Sequence, residues 1–270
     1  MDAPPRLFDR ELRRRRLDRA ARSGDDAHFL RRRVAEDFVG RIAASTREFP
    51  LALDLAAGSG AFARALAGSP ASERIGLLVQ SDFSIEAIRR AAGPRLAADE
   101  ERLPLAEARL DLIVCGLSLH WANDLIGSLV QIRRALRPGG LMLAALFCGE
   151  TLFELRRSLI EAEAELRGGA GPRVSPLLHP SDAPSLLQRA GFLSSVVDFD
   201  KMRARYPALA PLLADLRAMA ETSVLFERPR TPLSRRVLAA TERIYRQRHA
   251  DQDGRIEATF DIAVLTGWAP

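Results

Sequence analysis

Short apolar runs alternate with amphipathic stretches between residues 51 and 147. The predicted strands are LALDL at 51–55, IGLLVQ at 75–80, LDLIVCG at 110–116 and GLMLAALF at 140–147. The predicted helices between them are AFARALAG at 61–68, SIEAIRRAA at 84–92 and DLIGSLVQIRRALR at 124–137. Apolar strands separated by helices are typical of a parallel sheet that is covered on both faces. The pattern therefore predicts an α/β fold.

Further helical patterns flank this region. A helix is predicted at Thr151–Arg167, where Thr151 and Glu154 have the spacing of a capping box. Charged helices are also predicted at 8–22 and 26–47, apolar-patterned helices near 181–190, 206–220 and 231–247, and strands at 192–199 and 260–268.

The stretch 201–254 is long for a connection between strands, so we expect it to pack as a helical cap that encloses a substrate. This expectation divides the chain into three parts. They are an N-terminal helical segment at 1–48, a cofactor-binding core at 49–200, and a helical cap with a closing strand at 201–270.

The composition narrows the class of protein. Of 270 residues, 47% are hydrophobic, which is enough for one large α/β domain or for a core with a cap. No apolar run has the length of a membrane span, and no signal or transit peptide is recognised, so a cytoplasmic protein is expected. Cys115 and Cys148 lie in separate apolar segments without CxxC spacing. We predict two buried, reduced thiols and no metal site.

The chain has a net charge of +5. Arginine supplies almost all of its positive charge, because Lys201 is the only lysine. Aromatic residues make up 6% of the chain and leave few platforms for stacking bases, so no nucleic-acid partner is predicted. The runs Arg13–Arg16 and Arg31–Arg33 are interpreted as solvated helix faces. No oligomeric state is predicted.

The turn Gly58-Ser59-Gly60 joins the first predicted strand to a helix, a common place for a ligand. The sequence lacks both the spacing of a dinucleotide fingerprint and the lysine of a P-loop. Asp54 lies at the tip of the strand, where it would repel a pyrophosphate. A carboxylate there suits S-adenosylmethionine, which carries an ammonium and a sulfonium group. This turn is therefore predicted to bind that cofactor.

Acidic residues follow the next two strands. Asp82 closes the second strand and is predicted to accept hydrogen bonds from ribose hydroxyls, while Phe83 packs on the base. Asp99 is predicted to accept from the adenine amino group. The carboxyl ends of neighbouring strands form the ligand-binding edge of open α/β sheets, so these residues should lie together.

Candidate residues for the acceptor side come later in the chain. His120 and Trp121 follow the fourth strand; His120 is a candidate catalytic residue that orients or deprotonates an acceptor, and Trp121 a candidate wall of the substrate pocket. The alternative is that both simply pack the loop. Glu150 is a candidate for binding a cationic arginine of a substrate. His249 and Asp251 sit among polar residues, so we predict no iron site there.

The stretches LDLAAGSG, SDFS, ADEERLPL, LDLIVCGLSLHW and ALRPGG resemble the successive motifs of class I S-adenosylmethionine-dependent methyltransferases. Ala56 departs from that pattern, which usually has glycine. Later stretches, including RYPALAPLLADLRAM and ATFDIAVLTGW, are similar to the family of mitochondrial respiratory complex I assembly factor 5, described as a peptidyl-arginine hydroxylase. A resemblance to the malonyl-carrier-protein O-methyltransferases is expected only in the cofactor-binding part.

The resemblance implies a Rossmann-like fold with a mostly parallel seven-stranded sheet, N-terminal helices and a C-terminal cap. It implies S-adenosylmethionine as cofactor and adds Ser59, Gly60, Glu100 and Leu117 to the cofactor-binding residues. The function that follows is methylation of a protein or carrier-bound substrate. The alternatives are arginine hydroxylation during complex I assembly, with a complex I subunit as partner, or a non-enzymatic assembly scaffold.

Overall fold

A seven-stranded sheet runs through the computed structural model, which describes residues 6–22 and 28–270. Its strand order is β3-β2-β1-β4-β5-β7-β6. The strands are β1 Phe49–Leu55, β2 Ile75–Asp82, β3 Arg95–Ala97, β4 Leu110–Gly116, β5 Leu136–Cys148, β6 Leu193–Tyr206 and β7 Ile256–Trp268. The first five pair in parallel, whereas β7 lies antiparallel between β5 and β6. The predicted fold class is confirmed.

Helices cover both faces of this sheet. They are α1 Arg10–Ala20, α2 Phe29–Ala44, α3 Ala61–Leu66, α4 Ile85–Ile88, α5 Leu125–Ala135, α6 Phe153–Arg167, α7 Ala183–Ala190, α8 Leu209–Ala218 and α9 Arg235–His249. The two faces form separate apolar cores, one with α2, α3, α6 and α8, the other with α5 and α7. The N-terminal helix predicted at 26–47 is described only from residue 28 onwards.

Strand β4 explains why the central strands read as continuous apolar runs. Leu112 and Val114 belong to one core, and Ile113 and Cys115 belong to the other. Successive side chains of a strand point to opposite faces, so a strand covered on both sides needs apolar residues at every position. Cys115 and Cys148 are free thiols, and their predicted burial is confirmed.

The prediction that residues 201–254 are helical was wrong at its start, because β6 continues to Tyr206. Met202 and Ala204 pack against one core, while Lys201 and Arg203, which alternate with them, are exposed. Their alternation is that of a strand with one solvated face. The boundary at residue 200 therefore falls inside a strand, and the division of the chain into three parts stays a prediction.

The predicted capping box at Thr151 and Glu154 was also wrong. Helix α6 begins at Phe153, preceded by Leu152 in the left-handed region at φ 55°. The hydroxyl of Thr151 accepts from the backbone N–H of Asp261 at 2.9 Å, and buried Glu154 accepts from the Thr259 hydroxyl at 2.5 Å. Both side chains are therefore used to join the start of α6 to β7, which the local spacing does not reveal.

Candidate active site

The turn between β1 and α3 is held open by left-handed backbone. Gly58 and Gly60 have φ of 56° and 80°, and Ala56 has φ of 58°. The positive φ at Gly58 favours glycine, and a methyl group there would lie 3.2 Å from a guanidinium nitrogen of Arg31, which would have to shift slightly. Ala56 keeps the backbone shape at a cost of about 1 kcal/mol or more. The departure from the family pattern therefore leaves the turn intact.

Asp82 fastens this turn to the next strand. One carboxylate oxygen accepts from the Gly58 N–H at 2.8 Å and the other from the Ser84 N–H at 2.7 Å. Burial raises the pKa of Asp82, although these two N–H groups and Arg31 favour the ionised form. Each oxygen keeps a second lone pair, so Asp82 can still accept from two neighbouring hydroxyl groups.

Asp54 lies at the end of β1 and is buried. Its Oδ2 has no hydrogen-bond partner within residues 6–22 and 28–270. Burial raises the pKa of Asp54 to about 8, with Arg31 opposing the shift and Asp82 adding to it. At neutral pH this carboxyl group is therefore mostly protonated. A cation placed beside it would favour its ionised form.

Arg31 of α2 lies across the carboxyl ends of β1 and β4. It donates to the carbonyl oxygens of Ala56 and Gly116 at 3.1 Å and of Leu117 at 3.3 Å. This is the switch point of the sheet, where the strand order reverses. The interpretation of Arg31 as part of a solvated face was wrong, because its side chain is buried against carbonyl groups.

Arg10 of α1 occupies the other end of this edge. Its guanidinium lies 2.5 Å from Asp99, 3.1 Å from Glu100 and 4.8 Å from the centre of the Phe83 ring. The residues predicted to bind adenine are thus brought together, but around an arginine of the same chain. Glu100 is buried and also accepts from the hydroxyl of Ser118 at 2.9 Å.

Helix α1 is fixed at both ends over the sheet edge. Towards α4, Asp18 accepts from the hydroxyl of Ser84 at 2.6 Å. Towards the loop after α8, Arg13 donates to the carbonyl oxygen of Ala220, and Arg16 donates to that of Ser223 at 2.5 Å. Arg13 is fully buried, so its interpretation as part of a solvated face was wrong as well.

His120 and Trp121 share one carboxylate, that of Glu221. The distance from Glu221 Oε2 is 3.0 Å to His120 Nε2 and 2.9 Å to Trp121 Nε1, and Arg13 lies 3.3 Å from the other oxygen. Burial opposes the ionisation of Glu221, but Arg13 and His120 outweigh it and lower its pKa to about 2. Sequence reasoning missed Glu221, because nothing local distinguishes it from a surface glutamate.

This arrangement fixes the tautomer of His120. An ionised carboxylate only accepts hydrogen bonds, so Nε2 carries the proton and Nδ1 keeps its lone pair. Burial lowers the pKa of His120, and Glu221 offsets part of that shift. Nδ1 is buried and has no partner in the part of the chain that the structure describes. His120 is therefore a neutral imidazole whose buried Nδ1 carries an unpaired lone pair.

Two cavities adjoin these groups. One, of about 420 Å³, lies between α1, the Gly58 turn and α4, and includes Gly58, Ser59 and Arg31 in its lining. The second, of about 150 Å³, is lined mostly by apolar side chains and reaches His120 and Trp121. The first lies at the predicted cofactor end of the edge, and the second at the predicted acceptor end.

Other candidate residues lie elsewhere. Glu150 is exposed beside Lys201, at 3.8 Å, in an open polar depression that does not include His120 or Trp121. The hydroxyl of Ser59 accepts from Arg64 at 3.2 Å on the rim of the larger cavity.

In the described residues no group of three or more His, Cys, Asp or Glu side chains is arranged to hold a metal ion. Among the same residues, no helix has the length and apolar character to cross a membrane.

Comparison with known proteins fits this geometry. The family described as "Methyltransferase domain" matches residues 53–144, which include the Gly58 turn, Asp82, Asp99 and His120. The mouse protein "Arginine-hydroxylase NDUFAF5, mitochondrial" is 39% identical over 97% of this chain and 77% of its own length. The chain belongs to the family of arginine-hydroxylase NDUFAF5. It is a class I methyltransferase-fold enzyme.

A second relative of this NDUFAF5 family member is the "Malonyl-[acyl-carrier protein] O-methyltransferase" of Xylella fastidiosa strain M23. It is 31% identical over 98% of this chain and 89% of its own length. The expectation that this resemblance is confined to the cofactor-binding part was therefore wrong. The putative methyltransferase BH2331 of Bacillus halodurans C-125 shares the fold, with a TM-score of 0.59 at 16% identity over 87% of this chain and 98% of that one.

The protonated state of Asp54 makes stability depend on pH. Its pKa is higher in the folded chain than in the unfolded chain, so the folded chain holds the extra proton between about pH 4 and pH 8. The free energy of unfolding should therefore fall as pH rises, by at most about 1.4 kcal/mol per pH unit. We expect Asp54→Asn to weaken this decline in urea unfolding at pH 5.5, 6.5 and 7.5. Asp111→Asn, at the opposite sheet edge, should retain the decline of the free energy of unfolding with pH. If wild type and Asp54→Asn showed the same decline, the raised pKa of Asp54 would be contradicted.

Proposed function

We propose that this member of the NDUFAF5 family binds S-adenosylmethionine and methylates a protein or carrier-bound acceptor. The observation that carries the proposal is the alignment of Asp82, Asp54 and the free Nδ1 of His120 along one sheet edge. Asp82 suits the ribose diol of the cofactor, Asp54 suits its ammonium group, and Nδ1 of His120 suits a proton of the acceptor.

The residues at the edge fit the parts of the cofactor. Asp82 would accept from the two ribose hydroxyls, and Asp99 from the adenine amino group, with Phe83 beside the base. Asp54 and the carbonyl oxygens now held by Arg31 would receive the ammonium group. When bound, S-adenosylmethionine supplies an electrophilic methyl group.

On the acceptor side, the chain's contribution is proton removal and positioning. His120 is neutral, and its Nδ1 accepts a proton from an O–H or N–H acceptor. Glu221 stabilises the imidazolium that forms and fixes the ring orientation through Nε2. Trp121 and the apolar cavity behind it exclude water from the acceptor. The printed name of the Xylella relative, "Malonyl-[acyl-carrier protein] O-methyltransferase", supports methyl transfer to a carrier-bound acceptor, although a malonyl carboxylate would need positioning and no base.

Titration calorimetry with S-adenosylmethionine tests the cofactor assignment. Asp82→Ala removes the proposed ribose acceptor and should weaken binding at least about tenfold, since charge-assisted hydrogen bonds contribute roughly 1.5–3 kcal/mol. Asp111→Ala is a matched control, because Asp111 likewise accepts from a backbone N–H, that of Leu51, but at the opposite edge of the sheet. Circular dichroism reports whether each variant folds, and Asp99→Asn gives a milder second variant. Undiminished affinity in a folded Asp82→Ala protein would refute the proposal.

Arg10 should compete with the cofactor. Its guanidinium lies 4.8 Å from the Phe83 ring, whereas a base inserted between the two would need about 7 Å, twice the contact distance of roughly 3.5 Å. We therefore expect Arg10→Ala to tighten S-adenosylmethionine binding several-fold in the same titration. Arg15→Ala, an exposed arginine on the same helix, should change nothing. Weaker binding by Arg10→Ala would show that Arg10 holds the cofactor instead.

A second candidate function is arginine hydroxylation, favoured by the 39% identity to a protein named arginine-hydroxylase. A respiratory complex I subunit is then the proposed partner. Oxygen insertion needs an oxidant as a further reactant, which the residues of the site do not identify. Methyl transfer needs only the cofactor and the base already described, so we place it first.

Mass spectrometry separates these two reactions. The full chain is incubated with S-adenosylmethionine and either malonyl-loaded acyl carrier protein or an arginine-containing complex I subunit. We expect a gain of CH2. Where the acceptor is an arginine N–H, this gain should be lost in His120→Phe, whereas a malonyl carboxylate has no proton to give up at neutral pH and needs no base. A gain of one oxygen atom would support hydroxylation instead, and no gain on either substrate with an active cofactor site would favour the scaffold alternative.

A further inference from the structure

An exposed arginine surface lies beside the smaller of the two cavities (the acceptor cavity), on the loop from α8 to α9 and the first turn of α9. It consists of Arg230, Arg235 and Arg236 together with the exposed side chains of Leu7 and Phe226. We propose that this arginine surface docks an acidic segment of the partner protein that carries the methyl acceptor. The role of that partner rests on the proposed function, whereas the docking itself needs neither cofactor nor methyl transfer.

Both ends of the loop belong to the wall of the acceptor cavity. Ser223 and Leu233 line this cavity, and most residues from 226 to 232 are exposed. A protein bound to the loop would therefore sit next to the cavity that reaches His120 and Trp121.

Contacts with a neighbouring segment hold the loop in place. Nη1 of Arg173 donates to the carbonyl oxygen of Thr231 at 3.1 Å. Pro229 packs so closely on Gly171 that a methyl group on this glycine would lie 2.4 Å from the proline ring. A surface that is fixed before binding loses little conformational freedom when a partner docks.

Leu7 and Phe226 form the apolar part of the surface. Phe8 and Leu225 are bridged as an antiparallel pair, and the N–H of Phe226 donates to the carbonyl oxygen of Leu7 at 3.1 Å. Residues opposite each other in an antiparallel pair point to the same face. Leu7 is 45% exposed and Phe226 is 44% exposed, so both side chains are available to a partner.

The charge of the surface is positive. Residues 224–236 include four arginines and one acidic residue, Glu227. Arg228 lies 3.8 Å from Asp9, which balances it, but the other three arginines make no ion pair within residues 6–22 and 28–270. Two of these three lie in the first turn of α9, where the helix dipole adds positive potential. The surface therefore attracts a segment rich in carboxylates and repels a cationic one.

The size of the surface favours a protein over other anionic partners. Segments that bind acidic phospholipids carry about four to eight basic residues, whereas the arginine surface has three. Single-stranded nucleic acids stack on successive aromatic side chains, and Phe226 is the single aromatic residue between 224 and 236. Interfaces between proteins are enriched in arginine and aromatic residues. A protein with carboxylates beside an apolar side chain matches both parts of the surface.

Fluorescence anisotropy tests the docking on the full chain without cofactor. The probe is a labelled helical peptide with leucines along one face and glutamates beside them, and its matched control has glutamine at each glutamate position. We expect the glutamate peptide to bind at least about tenfold tighter than the glutamine peptide, a difference of about 1.4 kcal/mol. Raising the ionic strength from about 50 mM to about 300 mM should weaken its binding, because exposed charges are screened by salt.

Charge reversal tests where the peptide binds. The double variant Arg235→Glu with Arg236→Glu should weaken binding at least about fivefold, and it should fold because glutamate is favourable in the first turn of a helix. Arg109→Glu with Arg134→Glu is the matched control, since it changes the net charge by the same amount. Both residues are exposed at the opposite edge of the sheet, and neither makes an ion pair in the part of the chain that the structure describes. This control should bind as wild type does.

The remaining outcomes separate the parts of the proposal. No binding of the glutamate peptide, or equal affinities of the two double variants, would overturn the docking surface. Unchanged affinity of Phe226→Ser would overturn its apolar part. Binding of phosphatidylglycerol vesicles or of a single-stranded oligonucleotide that is lost in the Arg235→Glu, Arg236→Glu variant, without binding of the peptide, would overturn the protein class of the partner. A failed S-adenosylmethionine titration would leave these readings unaffected, so the two proposals fail separately.

Discussion

The arrangement of the site depends on a balance of buried charge. Carboxyl groups gather at the carboxyl edge of the sheet because Asp54, Asp82 and Glu100 end up there by topology, where water is largely excluded. Arg10 and Arg31, from the two N-terminal helices, supply the opposite charge. A buried ion stays charged only when it is paired and hydrogen-bonded, so these contacts determine where α1 and α2 lie. The helices are therefore part of the site rather than an appendage to the sheet.

Much of the sheet could be predicted because its signal is local. A strand covered on both faces is mostly apolar, and the polar residues Gln80, Ser81 and Asp82 mark the end of such a run in β2. Positive φ at Gly58 likewise follows from the need for a tight turn. The same reasoning failed at the end of β6. Lys201 and Arg203 face solvent there, so the sequence lacks the continuous apolar run by which a strand is recognised. An antiparallel strand with one solvated face has apolar residues at every second position only, so its apolar signal is halved.

Residues that depend on distant partners could not be predicted in this way. Arg13 meets Glu221 at a separation of 208 positions, and Arg31 meets Leu117 at a separation of 86. In the sequence, Arg13 and Arg31 stand beside other arginines that are exposed. The charged runs therefore predict a surface position for all of them. His120 was a candidate from its place after β4, but its free Nδ1 follows only from the position of Glu221. The chemistry of the site is thus decided by tertiary contacts.

The state of Asp54 also has a consequence for exchange with solvent. A carboxyl group that is protonated at neutral pH must lose its proton when a cation settles against it, because the pair is favourable only in the ionised form. Each binding event of the proposed cofactor would then release a proton into the medium. Affinity would rise with pH towards about 8, and the heat of binding would vary with the ionisation enthalpy of the buffer. A single strand-end carboxyl group would thereby make cofactor capture sensitive to the acidity of its surroundings.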